Sequence, residues 1–366
     1  MGRSSEQRNI WRRLKKNRGA LGAMVVIALA LLGALFAYLL APDGTPGANR
    51  MIVEIGGRRP GSAQRFLLLK KPGSQGTPSF LSGLLFGRPD GVLYVPVDSV
   101  HLAGDSLVAT RRVEEDLLET KAYPAAALAI READRPAGYT LVMRRFWLGT
   151  DKYGRDILSR LLVGLRVSLA VGTVTVLISL SIGVLLGALA GYYRGRTDQV
   201  VMWLVNVLWS IPTLLLVFAI TLMLGKGFWQ VFVAIGLTMW VSVARIIRGQ
   251  VLGVRELEYV EAARALGFSN ARIIARHILP NVMGPVLVVS ASNFASAIVM
   301  EAGLSFLGVG VQPPQPSWGL MIKENYNFII THNPMLALAP GLAIMVLVLA
   351  FNMLGNGLRD ALNVRD

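Results

Sequence analysis

The 366 residues are 53% hydrophobic and only 16% charged, with a mean hydropathy of +0.52; apolar residues at that density, gathered in long blocks, exclude an ordinary soluble domain and indicate a polytopic membrane protein. Cysteine is absent and the three histidines, His101, His277 and His332, lie far apart, which excludes disulfides and thiolate nucleophiles and argues against a metal centre. The net charge of +15 falls mostly at the ends of apolar blocks, where anionic headgroups and membrane orientation account for it better than nucleic acid does.

A helix crosses the hydrocarbon with about 20 predominantly apolar residues. The first such stretch, about 20–41, follows Arg3, Arg8, Arg12, Arg13, Lys15, Lys16 and Arg18 against one acid, Glu6, a bias that predicts a cytoplasmic N-terminus. It is longer than a signal-peptide core and Ala37-Tyr-Leu-Leu-Ala41 is a poor cleavage site, so it is read as a retained span. Residues 42–145 then change character. They hold Gly/Pro punctuation, short β-prone runs (Met51-Ile-Val-Glu-Ile55, Arg65-Phe-Leu-Leu-Leu69, Val92-Leu-Tyr-Val95) and a helix predicted around 113–133, opened by Glu114, Glu115 and Asp116. This predicts a small α+β domain outside the membrane, better read as a spacer or docking platform than as an active site.

Next comes Trp147-Leu-Gly149-Thr150-Asp151-Lys-Tyr-Gly154-Arg155-Asp156, followed by Ile157, Leu158, Leu161, Leu162 and Leu165 at helical spacing, interleaved with Arg160 and Arg166. The pattern predicts an interfacial helix with snorkelling arginines and Thr150 or Asp151 as N-cap. On the residues alone, Asp151 and Asp156 are cap and turn residues. A second span, about 168–192, repeats Gly183, Gly187 and Gly191 on one face, a packing seam. The remaining spans are placed at about 200–224, 228–244, 282–300 and 336–354. Trp203, Trp209, Trp229 and Trp240 fall partly near span ends, as aromatic belts do. Six crossings return the C-terminus to the cytoplasm. Arg194 and Arg196, and the loop with Arg245, Arg248, Arg255, Arg264, Arg272 and Arg276, then face inward too, whereas the link between spans three and four has only Lys226.

The loop between spans four and five is the most informative segment. Leu257, Val260, Glu261 and Arg264 recur at helical spacing, Ala262, Ala263 and Ala265 favour helix, and Gly267 suits a C-cap. A second helix is predicted from Ser269 through Ile273, Ile274 and Ile278, stopping before Pro280. Two short helices joined at a glycine between rigid spans make either a lever with a protein partner docked at Glu261, Ala262 and Ala263, or an interfacial hairpin without one. The residues alone leave both open.

Glu261-Ala262-Ala263, Gly267 and Ile278-Leu279-Pro280 resemble the signature of permease subunits of bacterial ABC importers. More narrowly, three further segments resemble the C-type permease of the dipeptide/oligopeptide/nickel branch: 148–160; Glu301-Ala-Gly303-Leu-Ser305-Phe-Leu-Gly308 with Pro313-Pro314 and Ser317-Trp318-Gly319; and Phe351-Asn352 through Gly355, Gly357, Arg359 and Asp360 to Leu362. The match covers 1–41 and about 146–366. The resemblance implies an all-α inner-membrane protein of six transmembrane helices, of the type I importer kind, with both termini cytoplasmic. It implies a pathway shared with a sister permease, two cytoplasmic ATPases docked on a coupling loop at about 255–280, and an extracytoplasmic solute-binding protein. Glu261, Ala262, Ala263, Gly267, Ile278 and Pro280 then form the ATPase-coupling loop, and Gly149, Thr150, Asp151, Gly154, Arg155 and Asp156 an outer-side gate or docking segment. The 42–145 insertion departs from the family, whose members connect these points by a much shorter loop; we expect an accessory extracytoplasmic α+β domain, or a tolerated spacer.

No Gly-x-x-x-x-Gly-Lys-Ser/Thr loop is present, since Gly225-Lys226 is followed by Gly227 without the upstream glycine. ATP and Mg are therefore expected in partner ATPases, with no cofactor, metal or catalytic residue in this chain. The expected cargo is a di- or oligopeptide, with nickel or another small solute as the alternative. A secondary transporter would need ionisable residues within its spans, where Glu301 is nearly alone. An intramembrane hydrolase would need more than Ser305 and His332 without a nucleophile elbow. Asn206, Ser210, Ser290, Ser292 and Asn293 are the candidate pathway residues.

Overall fold

A computed structural model describes residues 11–71, 79–103, 106–112, 118–124, 141–225, 227–331 and 333–362. Its frame is a helical bundle. Helix α1 (Arg18–Leu35) is capped by Asn17, whose side chain accepts from Ala20 N, and a short α2 (Ala37–Leu40) continues beyond a break at Phe36. Helices α4 (Ile157–Tyr193), α7 (Phe228–Val254), α10 (Met283–Leu307) and α13 (Met335–Leu362) are, with α1, long and apolar enough to cross a membrane.

The single span predicted at 200–224 is instead two helices, α5 (Gly195–Trp209) and α6 (Thr213–Leu224), bent by 92°. The break holds Ser210-Ile211-Pro212. Proline lacks the N–H a continuous helix needs and disfavours helical geometry in the residue before it, so hydropathy alone saw one segment where the backbone makes two.

The glycine seam packs α4 against α7. A Cβ on Gly187 would lie 2.5 Å from Ala244 O, and Gly183 and Gly191 meet Val243 and Val251 in the same way, so the backbones touch where lipid offers no hydrophobic drive for association. On the other side, the Phe294 ring of α10 stacks on Phe351 of α13 at 3.9 Å between centroids.

The bundle has two distinct ends. At one, Asn17 Nδ2 donates to Asp360 Oδ2 (3.4 Å), Gly284 sits beside Leu362, and Tyr192 OH donates to Asn270 Oδ1 (2.7 Å). The described chain therefore begins and finishes at the end that carries the 258–281 loop. At the other end lie the start of α4, helix α11 (Trp318–Asn325) and short α12 (Phe328–Thr331).

On that second end sits the segment between α1 and α4. Strands β1 (Ser62–Lys70), β2 (Val92–Val97) and β6 (Leu141–Phe146) form an antiparallel sheet in the order β2-β1-β6; β3 (Ser99–Ala103), β4 (Ser106–Arg112) and β5 (Leu118–Pro124) form another in the order β3-β4-β5. Alternation along β1 divides two cores. Phe66 joins Ile52, Ile55 and Phe146, whereas Leu67 and Leu69 join Val97, Leu107 and Ala109 between the sheets.

The helix predicted around 113–133 is not found where it can be described: 118–124 is β5, in register with β4, and the rest of that range lies outside the described residues. Cross-strand pairs such as Thr110 with Thr120 and the 2.6 Å Arg111–Glu119 bridge outweigh a helix-like composition. The β-prone run at 51–55 is also corrected. Val53–Ile55 is a 3-10 turn, because Ile52 and Ile55, three residues apart, are buried together. A helix the sequence did not suggest, α3 (Phe80–Phe86), is capped by Ser79.

Candidate functional site

Two clusters of residues stand at opposite ends of the bundle. At the first, α8 (Glu258–Ala265) lies across the ends of α4 and α7. Val260 and Ala263 face inward into a core with Tyr192, Ile247, Val251, Ile273 and Ile278, while Glu261 and Ala262 point out with Leu257 and Leu266, which is 73% exposed. The helix stops in a Schellman motif: Phe268 N donates to Ala263 O (3.2 Å) and Gly267 N to Arg264 O (2.9 Å), with Gly267 at φ +76°. A non-glycine residue there is strained, although nothing within 4 Å crowds the position.

A one-turn α9 (Asn270–Ile273) follows, then a π turn (Ile274–Ile278) and a 3-10 turn (Leu279–Asn281) that contains Pro280. Asn281 Nδ2 donates to His277 O (2.6 Å) and to Tyr259 OH (2.9 Å), tying α8 to the turn. The loop is thus one rigid piece, locked inside by Ile273 and Ile278 and exposing Glu261 and Ala262 beside apolar Leu257 and Leu266, with Arg264, Arg272 and Arg276 also at its surface. Tyr192 anchors it: its ring lies under Arg264 at 5.3 Å, its hydroxyl meets Asn270, and its carbonyl accepts from Arg255.

At the opposite end, 149–156 forms a tight turn closed by a β-bridge between Thr150 and Asp156. Helix α4 begins here, and the separate interfacial helix expected at 157–166 is its first turns. Its N-cap is Asp156, not Thr150 or Asp151: Oδ2 accepts from Ser159 N (2.8 Å). Burial pushes the Asp156 carboxyl above the usual range; nearby Asp43 adds to this, and the Ser159 bonds hold it back.

Arg155 and Arg160 do not snorkel; both are 1% exposed. Asp151 Oδ2 accepts from Arg155 Nε (2.6 Å) and Arg160 Nη1 (2.7 Å), and Glu324 Oε2 of α11 accepts from Arg155 Nη2 (2.7 Å) and Arg160 Nη1 (3.1 Å). Two cations meet two anions, which is what their burial demands. Thr150 and Gly154 dock the insertion onto this cluster. Thr150 Oγ1 accepts from Arg58 N (3.0 Å), Gly57 N donates to Asp151 O (2.9 Å), and a Cβ on Gly154 would overlap Ile52 O at 1.7 Å.

Glu324 and Asn49 complete this cluster without a sequence signal of their own, except that Glu324 is an acid on a short helix near the Ser317-Trp318-Gly319 motif; Ser159, within the 148–160 segment, bonds to Asp156. Of the pathway candidates, Asn206 stands exposed on α5, accepting from Arg245 (3.1 Å), and Ser210 stands exposed in the break that follows it. Ser290 donates to Val286 O within α10, Ser292 is half-buried, and Asn293 is buried. Ser305 donates to Glu301 (2.6 Å) and accepts from Val311 N (3.0 Å), so its hydroxyl is committed to structure; His332 lies outside the described residues.

Residues 183–365 match the family model for the binding-protein-dependent transport system inner membrane component, and residues 6–50 match the N-terminal TM domain of oligopeptide transport permease C. The chain belongs to the first of these families. It is a permease of a binding-protein-dependent ABC importer, an integral inner-membrane protein. It is similar to the glutathione transport system permease protein GsiD of Pectobacterium atrosepticum (44% identity over 59% of this chain and 72% of the relative). It is also similar to two Bacillus subtilis proteins: the oligopeptide transport system permease protein OppC (38%, over 66% of this chain and 77% of the relative) and the dipeptide transport system permease protein DppC (42%, over 59% and 68%). Between them the two family models leave 51–182 of this permease unmatched, the stretch holding both sheets and Asp151, Arg155 and Arg160, whereas their partner Glu324 lies within the matched part.

Proposed function

We propose that this permease imports di- or oligopeptides, forming the pathway with a sister permease and taking up the work of two ATPase subunits through its 258–281 loop. The observation that carries the reading is the sidedness of α8. Val260 and Ala263 lock it to the bundle while Glu261 and Ala262 stay free, so a partner that moves α8 moves α4 and α7 with it. Rigid-body displacement of such an element biases inward-open against outward-open states. The ATPases, with their ATP and Mg, are separate chains in this reading.

Arg194, Arg248, Arg255, Arg264, Arg272 and Arg276 gather at the α8 end, and their charge supports a cytoplasmic position for that end and both termini. The two sheets are then an extracytoplasmic domain, and the buried Asp151–Arg155–Arg160–Glu324 cluster suits a gate better than a docking surface. The peptide assignment is supported by the names of the related permeases. Reconstitution with the sister permease, ATPases and binding protein tests it: ATP-dependent uptake of labelled dipeptide is expected, and uptake of nickel or another small solute without peptide uptake would replace the cargo assignment.

A further inference from the structure

Helix α3, Phe80-Leu-Ser-Gly-Leu-Leu-Phe86, is built inside out. Its buried edge is glycine: just past the helix a Cβ on Gly87 would lie 2.9 Å from both Gly44 O and Tyr38 Cε1, while Gly83 is covered by the Arg88 side chain at the helix's own C-terminal end, whose Nε would lie 2.8 Å from a Cβ there. Its large apolar residues face away, Phe80 at 62%, Leu81 at 67% and Phe86 at 69% exposure. A helix bounded by water carries the opposite arrangement.

Its position supplies the occupant. The Arg166 guanidinium of α4 donates to Leu85 O (2.9 Å) and Leu84 O (3.3 Å) while lying 5.3 Å over the Tyr38 ring of α2, so α3 stands level with Arg166 and with the end of the α1–α2 span. From Arg166 to Tyr193, α4 is about 40 Å long at 1.5 Å per residue, about the thickness of a bilayer with its headgroups. Arg166 therefore falls at the headgroup level, where a guanidinium and a tyrosine belong. The exposed apolar residues Leu35, Phe36, Leu39 and Leu40 of the adjoining span carry the lipid-facing surface up to α3, and exposed Arg88 at its C-terminal end suits an anionic headgroup.

We propose that α3 is a lipid-embedded foot, lying in the headgroup and upper acyl boundary and fixing the β-sheet unit to the bilayer surface beside α1 and α4. The partner is the lipid surface itself. This rests on the membrane-spanning bundle, not on the cargo or the ATPase-coupling reading.

The chain has no cysteine of its own, so Leu81→Cys in the full-length permease, labelled with an environment-sensitive fluorophore and reconstituted in phosphatidylethanolamine/phosphatidylglycerol vesicles, reads the site directly. Lys121→Cys, exposed on β5, is the water-facing reference, and Phe86→Cys replaces Leu81→Cys if that variant does not fold. The proposal expects blue-shifted emission that is lost to lipid carrying a shallow doxyl quencher and resists aqueous iodide, with Lys121→Cys doing the reverse. Quenching by iodide without quenching by lipid would make the face water-exposed and overturn the proposal. Resistance to both quenchers would show a protein partner covering it, and overturn it equally.

Discussion

Arg155 Nη2 lies 2.7 Å from Glu324 Oε2, joining the turn ahead of α4 to helix α11 across 169 residues of chain. Because Arg160 shares both carboxylates and both arginines are buried, at 1% exposure, loss of one acid strands a buried cation.

Glu324→Ala should therefore destabilise the permease by about 3–5 kcal/mol, the usual cost of breaking a buried pair from one side. The Arg160→Met/Glu324→Met double variant should recover part of this, since removing both charges leaves none stranded. Thermal unfolding of the purified permease in detergent reads both. Equal loss in the single and double variants would mean that packing, not charge, holds α11.

Asp156 gives a pH signature. Its folded-state carboxyl is raised by burial, so its favourable contribution is complete below the ordinary aspartate range and is lost as pH rises through the raised value. Asp156→Asn should therefore gain stability relative to the native permease between acidic and neutral pH, while keeping an N-cap oxygen for Ser159. Asp156→Ala should lose about 1 kcal/mol from the missing cap. Melting at pH 5 and pH 8 separates the two.

Gly187→Leu places a side chain where even a Cβ would come 2.5 Å from Ala244 O. It should force α4 and α7 apart and reduce the yield of folded permease. Gly249→Leu, with nothing within 4 Å of its Cβ position, is the control on the same helix pair and should express normally.

What could be read from the chain follows from which physical signals are local. The glycine seam and the helix stop at Gly267 depend on neighbours a few residues away, and spacing exposes them; the burial of Ile273 and Ile278 comes from packing against α4 and α7. The break at Pro212 was hidden because hydropathy is blind to a missing N–H. Strand β5 escapes a local reading because its stability comes from pairing with β4, and Asp151 has the look of a cap residue in sequence because Glu324 reaches it only through the tertiary fold.

Excision of 62–146 is also informative. Ser62 and Phe146 are paired residues of β1 and β6, close enough for a short Gly/Ser linker to rejoin the chain. The shortened permease should insert and fold, since Asn49, Gly57 and Arg58, which bond to the 150–155 turn, are retained, and should lose complex assembly or uptake. Native values for both would reduce the sheets to a spacer.

Within the loop, Glu261→Ala is exposed and should change stability by less than about 0.5 kcal/mol, yet lower ATP-driven uptake. Ala263→Leu, in a buried position, should cost about 1–3 kcal/mol by overpacking. Gly267→Pro replaces a φ of +76° with one fixed near −65°, and should leave ATP hydrolysis uncoupled from transport. Normal uptake by Gly267→Pro would remove the lever.

The most direct test is Glu261→Cys in the otherwise cysteine-free chain, treated with a short bismaleimide in the assembled transporter. The account predicts a cross-link to an ATPase subunit, with no labelling by a membrane-impermeant thiol reagent added to intact cells. Labelling from outside, without an ATPase cross-link, would contradict it.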